Sequence, residues 1–106
     1  VFSAKEDFDS EIAEYTRILA FDPKNSSALH SRGHVWYIKK KDLDRGMEDY
    51  QAALAIDAKD SCVRNNLGLI FKKKGELDRA VASFEEAIRQ TPDFTLAYRN
   101  LAAIHS

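Results

Sequence analysis

The sequence is poor in the residues that interrupt or cross-link a polypeptide. Among 106 residues there are two prolines, four glycines and one cysteine. With so few helix breakers and little strand-type alternation of apolar and polar residues, the chain is predicted to be mainly helical. A lone cysteine, Cys62, cannot form an intramolecular disulfide, which favours a reducing compartment. We expect its thiol to lie in the core as a small apolar group.

Long apolar runs and an excess of charge of one sign are also missing. No run approaches the roughly 20 residues that span a bilayer, and no charged-then-apolar leader opens the chain, so we expect a cytoplasmic protein. The 16 basic and 17 acidic residues give a formal charge of −1, so no overall field attracts nucleic acid or an anionic membrane. The 44% apolar and 31% charged content is typical of one soluble folded domain. Val1 in place of Met indicates a longer or processed chain.

Apolar residues recur with helical spacing in six segments. In the first, Phe8, Ile12 and Tyr15 begin a stripe that predicts a helix over 7–20, ending before Pro23. Five further helices are predicted. The second follows Asn25-Ser26-Ser27 and ends near Lys39, and the third runs from Leu43 to Ile56. The fourth begins near Asp60-Ser61, the fifth begins at Leu77, and the sixth follows Pro92-Asp93. Each is too short to be stable alone in water, so neighbouring helices must cover the apolar stripes.

Two stretches of the chain are nearly copies of each other. The segment GELDRAVASFEEAIRQTP (75–92) follows KDLDRGMEDYQAALAIDA (41–58), and Leu77-Asp78-Arg79 lies 34 positions after Leu43-Asp44-Arg45. A helix pair that cannot bury its own apolar face is stabilised by stacking on another such pair. The repetition therefore predicts stacked helix pairs.

These features resemble the tetratricopeptide repeat, a helix-turn-helix unit of 34 residues. The most complete copy is 61–94, where only Arg64 departs from the pattern. The residues at the family's leucine, glycine, aromatic, alanine and proline positions are Leu67, Gly68, Phe71, Gly75, Leu77, Ala80, Phe84, Ala87 and Pro92. The resemblance implies an all-α solenoid of antiparallel helix pairs in a right-handed superhelix. It divides the single domain into a half repeat 1–25, repeats 26–60 and 61–94, and a half repeat 95–106.

The repeat 26–60 contains one residue more than 61–94. Gly33 lies 35 positions before Gly68, whereas Gly46 lies 34 before Ala80. We place the extra residue in the turn region 39–42; the alternative, an unbroken register, puts His34 in the tight position between the helices. In the half repeat 1–25, the family's two alanine positions hold Glu11 and Ile18.

The resemblance implies a concave groove lined by the first helix of each repeat, and hence a non-enzymatic adaptor that binds an extended peptide or partner segment. The groove positions fall on His30, His34, Tyr37, Asn65, Asn66, Leu69, Lys73, Arg99 and Asn100. Asn66 and Asn100, 34 apart, resemble a ladder of asparagines that hydrogen-bonds a peptide backbone; the alternative is that they are simply solvated. Some members of this family bind the acidic C-terminus of heat-shock proteins with a set of basic and asparagine side chains called the carboxylate clamp. The clamp positions here hold His30, His34, Asn66, Leu96 and Asn100, of which only Asn66 matches.

Other chemistry has less support. His30 and His34 are spaced for zinc but no third ligand is evident; as groove residues, they would favour an acidic ligand as the pH falls through about 6.5. The lysine runs 39–41 and 72–74 lie at helix ends, where cations meet the negative pole of the helix. No nucleophile elbow, phosphate-binding loop or metal cluster is present, so we expect neither enzymatic activity nor a cofactor.

The competing hypothesis is structural, either a slice of a longer scaffold or a chain that associates with itself. Apolar residues lie uncovered at both ends in the predicted arrangement, namely Phe2, Phe8, Ile12, Leu101 and Ile104. Such faces predict concentration-dependent association. The expected partner is therefore a protein, a peptide or a second copy, and neither nucleic acid nor a membrane.

Overall fold

The structure is a computed structural model that describes the backbone of residues 4–105 and the side chains of residues 8–104. The described residues form helices without any strand, which confirms the predicted all-α class. The helices are α1 (Ala4–Phe21), α2 (Ser26–His34), α3 (Leu43–Ile56), α4 (Ser61–Lys73), α5 (Leu77–Gln90) and α6 (Thr95–His105). A π-helical turn, Val35–Lys39, continues α2 and is called the π-turn below.

Side-chain caps begin three of the helices where the sequence predicts them. Asn25, Asp42 and Asp60 each accept a hydrogen bond from the backbone N–H three residues later, at 3.0 to 3.1 Å. These caps satisfy N–H groups that no helix carbonyl can reach. The predicted bounds of the third helix, Leu43 to Ile56, are confirmed.

The chain divides after Asp57 into two compact units. In the first unit, α2 and the π-turn pack against α3, and α1 packs against α2 and the π-turn. In the second unit, α4 packs against α5, and α6 packs mainly against α5 and also against α4. Each unit therefore has a pair of antiparallel helices as its centre and one further helix beside it.

A glycine facing an aromatic ring sets the close approach in each pair. A methyl group added at Gly33 would lie 2.9 Å from the Tyr50 ring, and one added at Gly68 would lie 2.6 Å from the Phe84 ring. Both rings are fully buried, so they have no room to move away from a larger residue. The prediction that Gly33, rather than His34, occupies the tight position is confirmed.

The extra residue of the first unit lies inside a helix. In the π-turn, the N–H of Lys40 donates to the carbonyl of Val35 at 3.0 Å, five residues back instead of four. A π-type turn accommodates one more residue than an α-turn. The predicted location in the turn 39–42 is therefore wrong, because the helix absorbs the extra residue before that turn begins.

Each unit has one residue with left-handed backbone in the turn between its paired helices. In the second unit this is Gly75, with φ 82°, and in the first it is Lys41, 34 positions earlier, with φ 56°. Glycine adopts this region without a steric penalty, whereas a residue with a Cβ atom does so at a cost. The first unit therefore holds a strained lysine where the second has glycine.

The repeated Leu-Asp-Arg sequence has a structural explanation in its arginine. The Arg45 guanidinium lies 4.8 Å from the centre of the Trp36 ring, and that of Arg79 lies 5.7 Å from the centre of the Phe71 ring. Each arginine also approaches the acidic residue three positions earlier, at 3.5 Å. The same cation–π contact thus holds the start of the second helix over the end of the first in both units.

Candidate functional site

A cavity of about 200 Å³ lies in the first unit, where α2 and the π-turn face α1. His30 and His34, which the sequence analysis assigned to a binding groove, are one turn apart on α2 and both line it. The complete lining is Glu11, Tyr15, His30, Ser31, His34, Val35 and Lys39. The cavity therefore combines several hydrogen-bond donors with one carboxylate.

The π-turn decides which later residue reaches this cavity. Tyr37, predicted in the groove, is only 6% exposed, and its Cβ lies against Gly46 of α3. Lys39 lines the cavity instead. The prediction assumed a regular α-helix, and the π-turn shifts every following residue by one position around the helix axis. The signal for this shift was the 35-residue spacing from Gly33 to Gly68.

Lys39 is held by two contacts from α1. Its Nζ lies 3.4 Å from Oε1 of Glu11 and 5.1 Å from the centre of the Phe8 ring. The Lys39 and Glu11 side chains are 36% and 37% exposed, so water screens this ion pair and its contribution to stability is small. These contacts therefore position the ammonium group, but the weak ion pair with Glu11 could be replaced by one with another carboxylate.

The surroundings of His34 disfavour its protonated form. Burial lowers the pKa of His34 below its ordinary value of 6.5, and the neighbouring His30 and Lys39 lower it further, while Glu11 acts in the opposite direction. Burial penalises the charged imidazolium, and the two basic neighbours repel it. The surroundings therefore favour the neutral ring, and a further negative charge in the cavity would act against this preference.

Metal binding and membrane crossing find no structural support in the part of the chain that the structure describes. Within it, no three His, Cys, Asp or Glu side chains are grouped so that they could hold a metal ion. Among the described helices, none is both long enough and apolar enough to traverse a bilayer.

In the second unit, the predicted asparagines lie where α4 and α6 meet. Nδ2 of Asn100 donates to Oδ1 of Asn65 at 2.9 Å, and Asn65 is 1% exposed. Asn65 therefore joins two helices rather than presenting its oxygen to solvent. The adjacent Asn66 is half-buried, and its side chain makes no hydrogen bond to another described residue. This differs from a row of free asparagines, because one donor of Asn100 is already engaged within the unit.

The remaining predicted residues of the second unit are more open. Leu69 is half-buried, and Lys73 and Arg99 are exposed. Cys62 is exposed as well, so the expectation of a core thiol is wrong. The neighbours Ser61 and Val63 take the buried positions at the start of α4, which leaves Cys62 on the outer face of the helix.

A buried ion pair in the first unit was missed by the sequence analysis. Nε and Nη2 of Arg32 each lie 2.8 Å from an oxygen of Asp49, which is 6% exposed. The hydrogen bond that Arg32 donates to the Asp49 carboxylate raises the pKa of Arg32, against the opposing effect of burial. The corresponding positions of the second unit are Leu67 and Ser83. Because the pair is bidentate and joins α2 to α3, we assign it to the packing of these helices.

Comparison with known families agrees with the sequence pattern. The family description "Tetratricopeptide repeat" matches residues 27–60, and "TPR repeat" matches residues 68–106. The chain belongs to the tetratricopeptide repeat (TPR) family. A search among curated proteins gave no match.

The fold is similar to solved structures that contain peptides, two of which are TPR domains. The first TPR of Spaghetti (RPAP3), bound to the HSP90 peptide SRMEEVD, has a TM-score of 0.87 at 21% identity over 95% of this chain and 79% of that chain. The second TPR domain of human RPAP3, in complex with the HSP70 peptide SGPTIEEVD, has a TM-score of 0.86 at 24% identity over 96% of this chain and 84% of that chain. The Yersinia enterocolitica type III secretion chaperone SycD, in complex with a peptide of the translocator YopD, has a TM-score of 0.86 at 16% identity over 95% of this chain and 82% of that chain. These similarities confirm the helical repeat fold.

Proposed function

We propose that the chain is a non-enzymatic interaction module that binds an extended segment of a partner protein. The observation that supports this most is the polar, donor-rich face of α2 and the π-turn, where His30, Ser31, His34 and Lys39 share one cavity. In the second unit, α4 presents Asn66 and Lys73. Solved proteins of similar fold hold peptides, which agrees with this proposal.

The chemistry of these faces suits a peptide backbone. An extended segment has N–H and C=O groups that no secondary structure of its own satisfies. The Asn66 amide offers both donors and an acceptor, and the histidines, serine and lysine add donors. A site carried on packed helices is already ordered, so little conformational entropy is lost when the partner binds.

We do not expect this chain to bind the particular ligands of the similar structures. In the positions of the family's carboxylate clamp, only Asn66 matches. His30, Leu96 and Asn100 stand at its basic positions, and His34 stands at its other asparagine position. We therefore propose a peptide ligand whose sequence differs from the peptides SRMEEVD and SGPTIEEVD that are bound to Spaghetti and RPAP3.

The proposal is tested by selecting binders from a library of random 12-residue peptides and measuring their dissociation constants by fluorescence anisotropy. The test variants are the double substitution His30→Ala with His34→Ala, and Asn66→Ala. Asn66 is preferred to Asn100, whose side chain supports the contact between α4 and α6. The matched control is Gln51→Ala, at an exposed residue of α3. Arg45→Ala removes the contact with the Trp36 ring and reports on binding near that ring.

We expect about tenfold weaker binding for each test variant, the loss of one or two good hydrogen bonds, and unchanged binding for the control. A failure to select any peptide, or binding that depends on Arg45 and not on the histidines or Asn66, would contradict the proposal.

Self-association is a second candidate function, favoured by apolar residues that α1 leaves open. Phe21 is 90% exposed, and with Ile18 it lines an apolar cleft of about 360 Å³. On α6, Leu96 and Tyr98 are about half exposed. The residues named from the sequence fit less well, since Phe8, Ile12, Leu101 and Ile104 are half-buried, and Phe2 lies outside the described residues.

A further inference from the structure

The side of α1 that lines the apolar cleft combines two apolar groups with two opposite charges. Phe21 and Ile18 are 90% and 42% exposed, and the other two residues of the cleft, Glu14 and Arg17, are exposed as well. The four recur at i, i+3, i+4 and i+7, so they share one face of the helix. Neither charged side chain has a hydrogen-bond or ion-pair partner among the described residues.

The corresponding side of α3 is covered by a helix. Ile18 corresponds to Ala53, 35 positions later, which is 1% exposed. Glu14 corresponds in the same way to Asp49, whose carboxylate accepts from Arg32 of α2. Because isoleucine is larger than alanine, a helix on α1 cannot approach as closely as α2 approaches α3. The occupant that fits is a helix with large side chains, packed at a wider spacing.

The charges of this face make it complementary to itself. In a parallel pair of α1 helices, each charge would lie beside the same charge of the other copy, which is unfavourable. In an antiparallel pair with its two-fold axis beside Ile18, the order of the residues is reversed in the second copy. Glu14 of one copy then approaches Arg17 and Phe21 of the other, and the two Ile18 side chains meet at the axis.

We propose that α1 is a dimerisation helix, which pairs antiparallel with α1 of a second copy through Glu14, Arg17, Ile18 and Phe21. The inference rests on the second candidate function, self-association, and names its surface and geometry. Covering the two apolar side chains drives the association, and the two contacts between opposite charges fix the orientation. None of the four residues lines the cavity described above, so dimerisation and peptide binding use different surfaces.

The first arm of the test reverses the charges of the face. The variants of the full chain are Glu14→Arg, Arg17→Glu and the double variant with both substitutions. The matched control is Glu85→Arg, at an exposed glutamate of α5. Sedimentation velocity over a range of concentrations follows association of each protein alone and of a 1:1 mixture of the two single variants. Thermal melts verify that every variant is folded.

We expect each single reversal to weaken association at least about fivefold, because every dimer contains the charge contact twice and the reversal replaces attraction by repulsion. The mixture of Glu14→Arg with Arg17→Glu should restore association, since one copy then presents two positive charges and the other two negative charges. The double variant and Glu85→Arg should behave as wild type. A mixture that associates no better than either variant alone would overturn the antiparallel pairing.

The second arm tests the position of the two-fold axis by disulfide formation. In a Cys62→Ser background, Ile18→Cys places one thiol of each copy at the axis, within the short range that a disulfide requires. The matched control is Ala20→Cys, which is exposed on α1 but lies outside the face. Under air oxidation we expect the covalent dimer to form about tenfold faster with Ile18→Cys. Equal rates for the two variants would overturn the proposed axis.

The substitution Phe21→Ser separates failure of this geometry from failure of self-association. If Phe21→Ser reduces the association of wild type but the charge mixture and the disulfide arm fail, the antiparallel pairing is wrong and self-association stands. If wild type does not associate at any concentration, both are wrong. Either result leaves the peptide-binding proposal to its own test.

Discussion

Lys41 and Gly75 occupy the same place in the two units and differ in what their backbone angles require. Both have positive φ, 56° and 82°, a region in which the Cβ atom of any other residue approaches a carbonyl oxygen. The chain follows the same path in both turns, but only one turn has the residue that suits it. At the scale of a single residue, this turn of the first unit is therefore under strain.

The substitution Lys41→Gly should stabilise the protein. We expect an increase in the free energy of unfolding of about 0.5 to 1 kcal/mol, because relief of the left-handed strain exceeds the added backbone entropy of glycine in the unfolded chain. Urea denaturation measures the change. The matched control is Lys74→Gly, at φ −81° in the other turn, which should be neutral or destabilising. Equal effects of the two substitutions would show that φ is not the cause.

His34 gives the stability a dependence on pH. Its pKa is lower in the folded protein than in the unfolded chain, so the fold prefers the neutral ring. The stability associated with this preference is complete above the unfolded pKa of about 6.5 and is lost as the pH falls through the folded value. We expect the melting temperature to decline more between pH 7 and 5.5 in wild type than in His34→Gln. Parallel profiles for the two proteins would contradict the assignment.

At the scale of elements, the two units attach their paired helices with different chemistry. The first joins α2 to α3 with the bidentate pair of Arg32 and Asp49, and the second has Leu67 and Ser83 at these positions. Removing one member of a buried pair leaves the other charge without a partner, whereas replacing both can be nearly neutral.

A pair of substitutions separates these effects. Asp49→Ala should lower the free energy of unfolding by about 2 to 4 kcal/mol, because Arg32 then lies partly buried without a counter-charge. The double variant with Arg32→Leu and Asp49→Ser, which copies the second unit, should lie within about 1 kcal/mol of wild type. Chemical denaturation of both proteins provides the comparison. A double variant that is less stable than Asp49→Ala would show that the pair itself is required.

The helices could be predicted from the sequence because their signals are local. Asn25 and Asp60 mark helix starts, and the apolar stripes follow the helical period. The spacing of Gly33 and Gly68 also gave the number of extra residues correctly. It could not give their location, because a longer turn and a π-turn lengthen the chain between two glycines equally.

The candidate site was predictable only in part, because the location of the π-turn could not be predicted. His30 and His34 precede the π-turn, so it does not change their positions around the helix axis, and both line the cavity. Lys39 is the last residue of the π-turn, and the sequence assigned it to a helix end instead. The burial of Asn65 was not predictable, since it depends on Asn100 of another helix, 35 positions away.

At the scale of the whole molecule, the open apolar residues predict association between copies. Phe21 is 90% exposed, and covering such a residue is favourable by about 1.5 to 3 kcal/mol. We expect the sedimentation coefficient to rise with protein concentration and Phe21→Ser to reduce this rise. Leu77→Ser, at a half-exposed leucine of the second unit, is the matched control and should leave the association unchanged. A concentration-independent coefficient for wild type would exclude this form of association.

The most direct test of the proposed binding role is a map of amide chemical shifts on adding a library-selected peptide to the ¹⁵N-labelled protein. The proposal predicts the largest changes at His30, Ser31, His34 and Lys39 in the first unit and around Asn66 in the second, with the Trp36 indole signal unmoved. Changes centred on Trp36 and its neighbour Arg45, with the cavity residues unaffected, would contradict it.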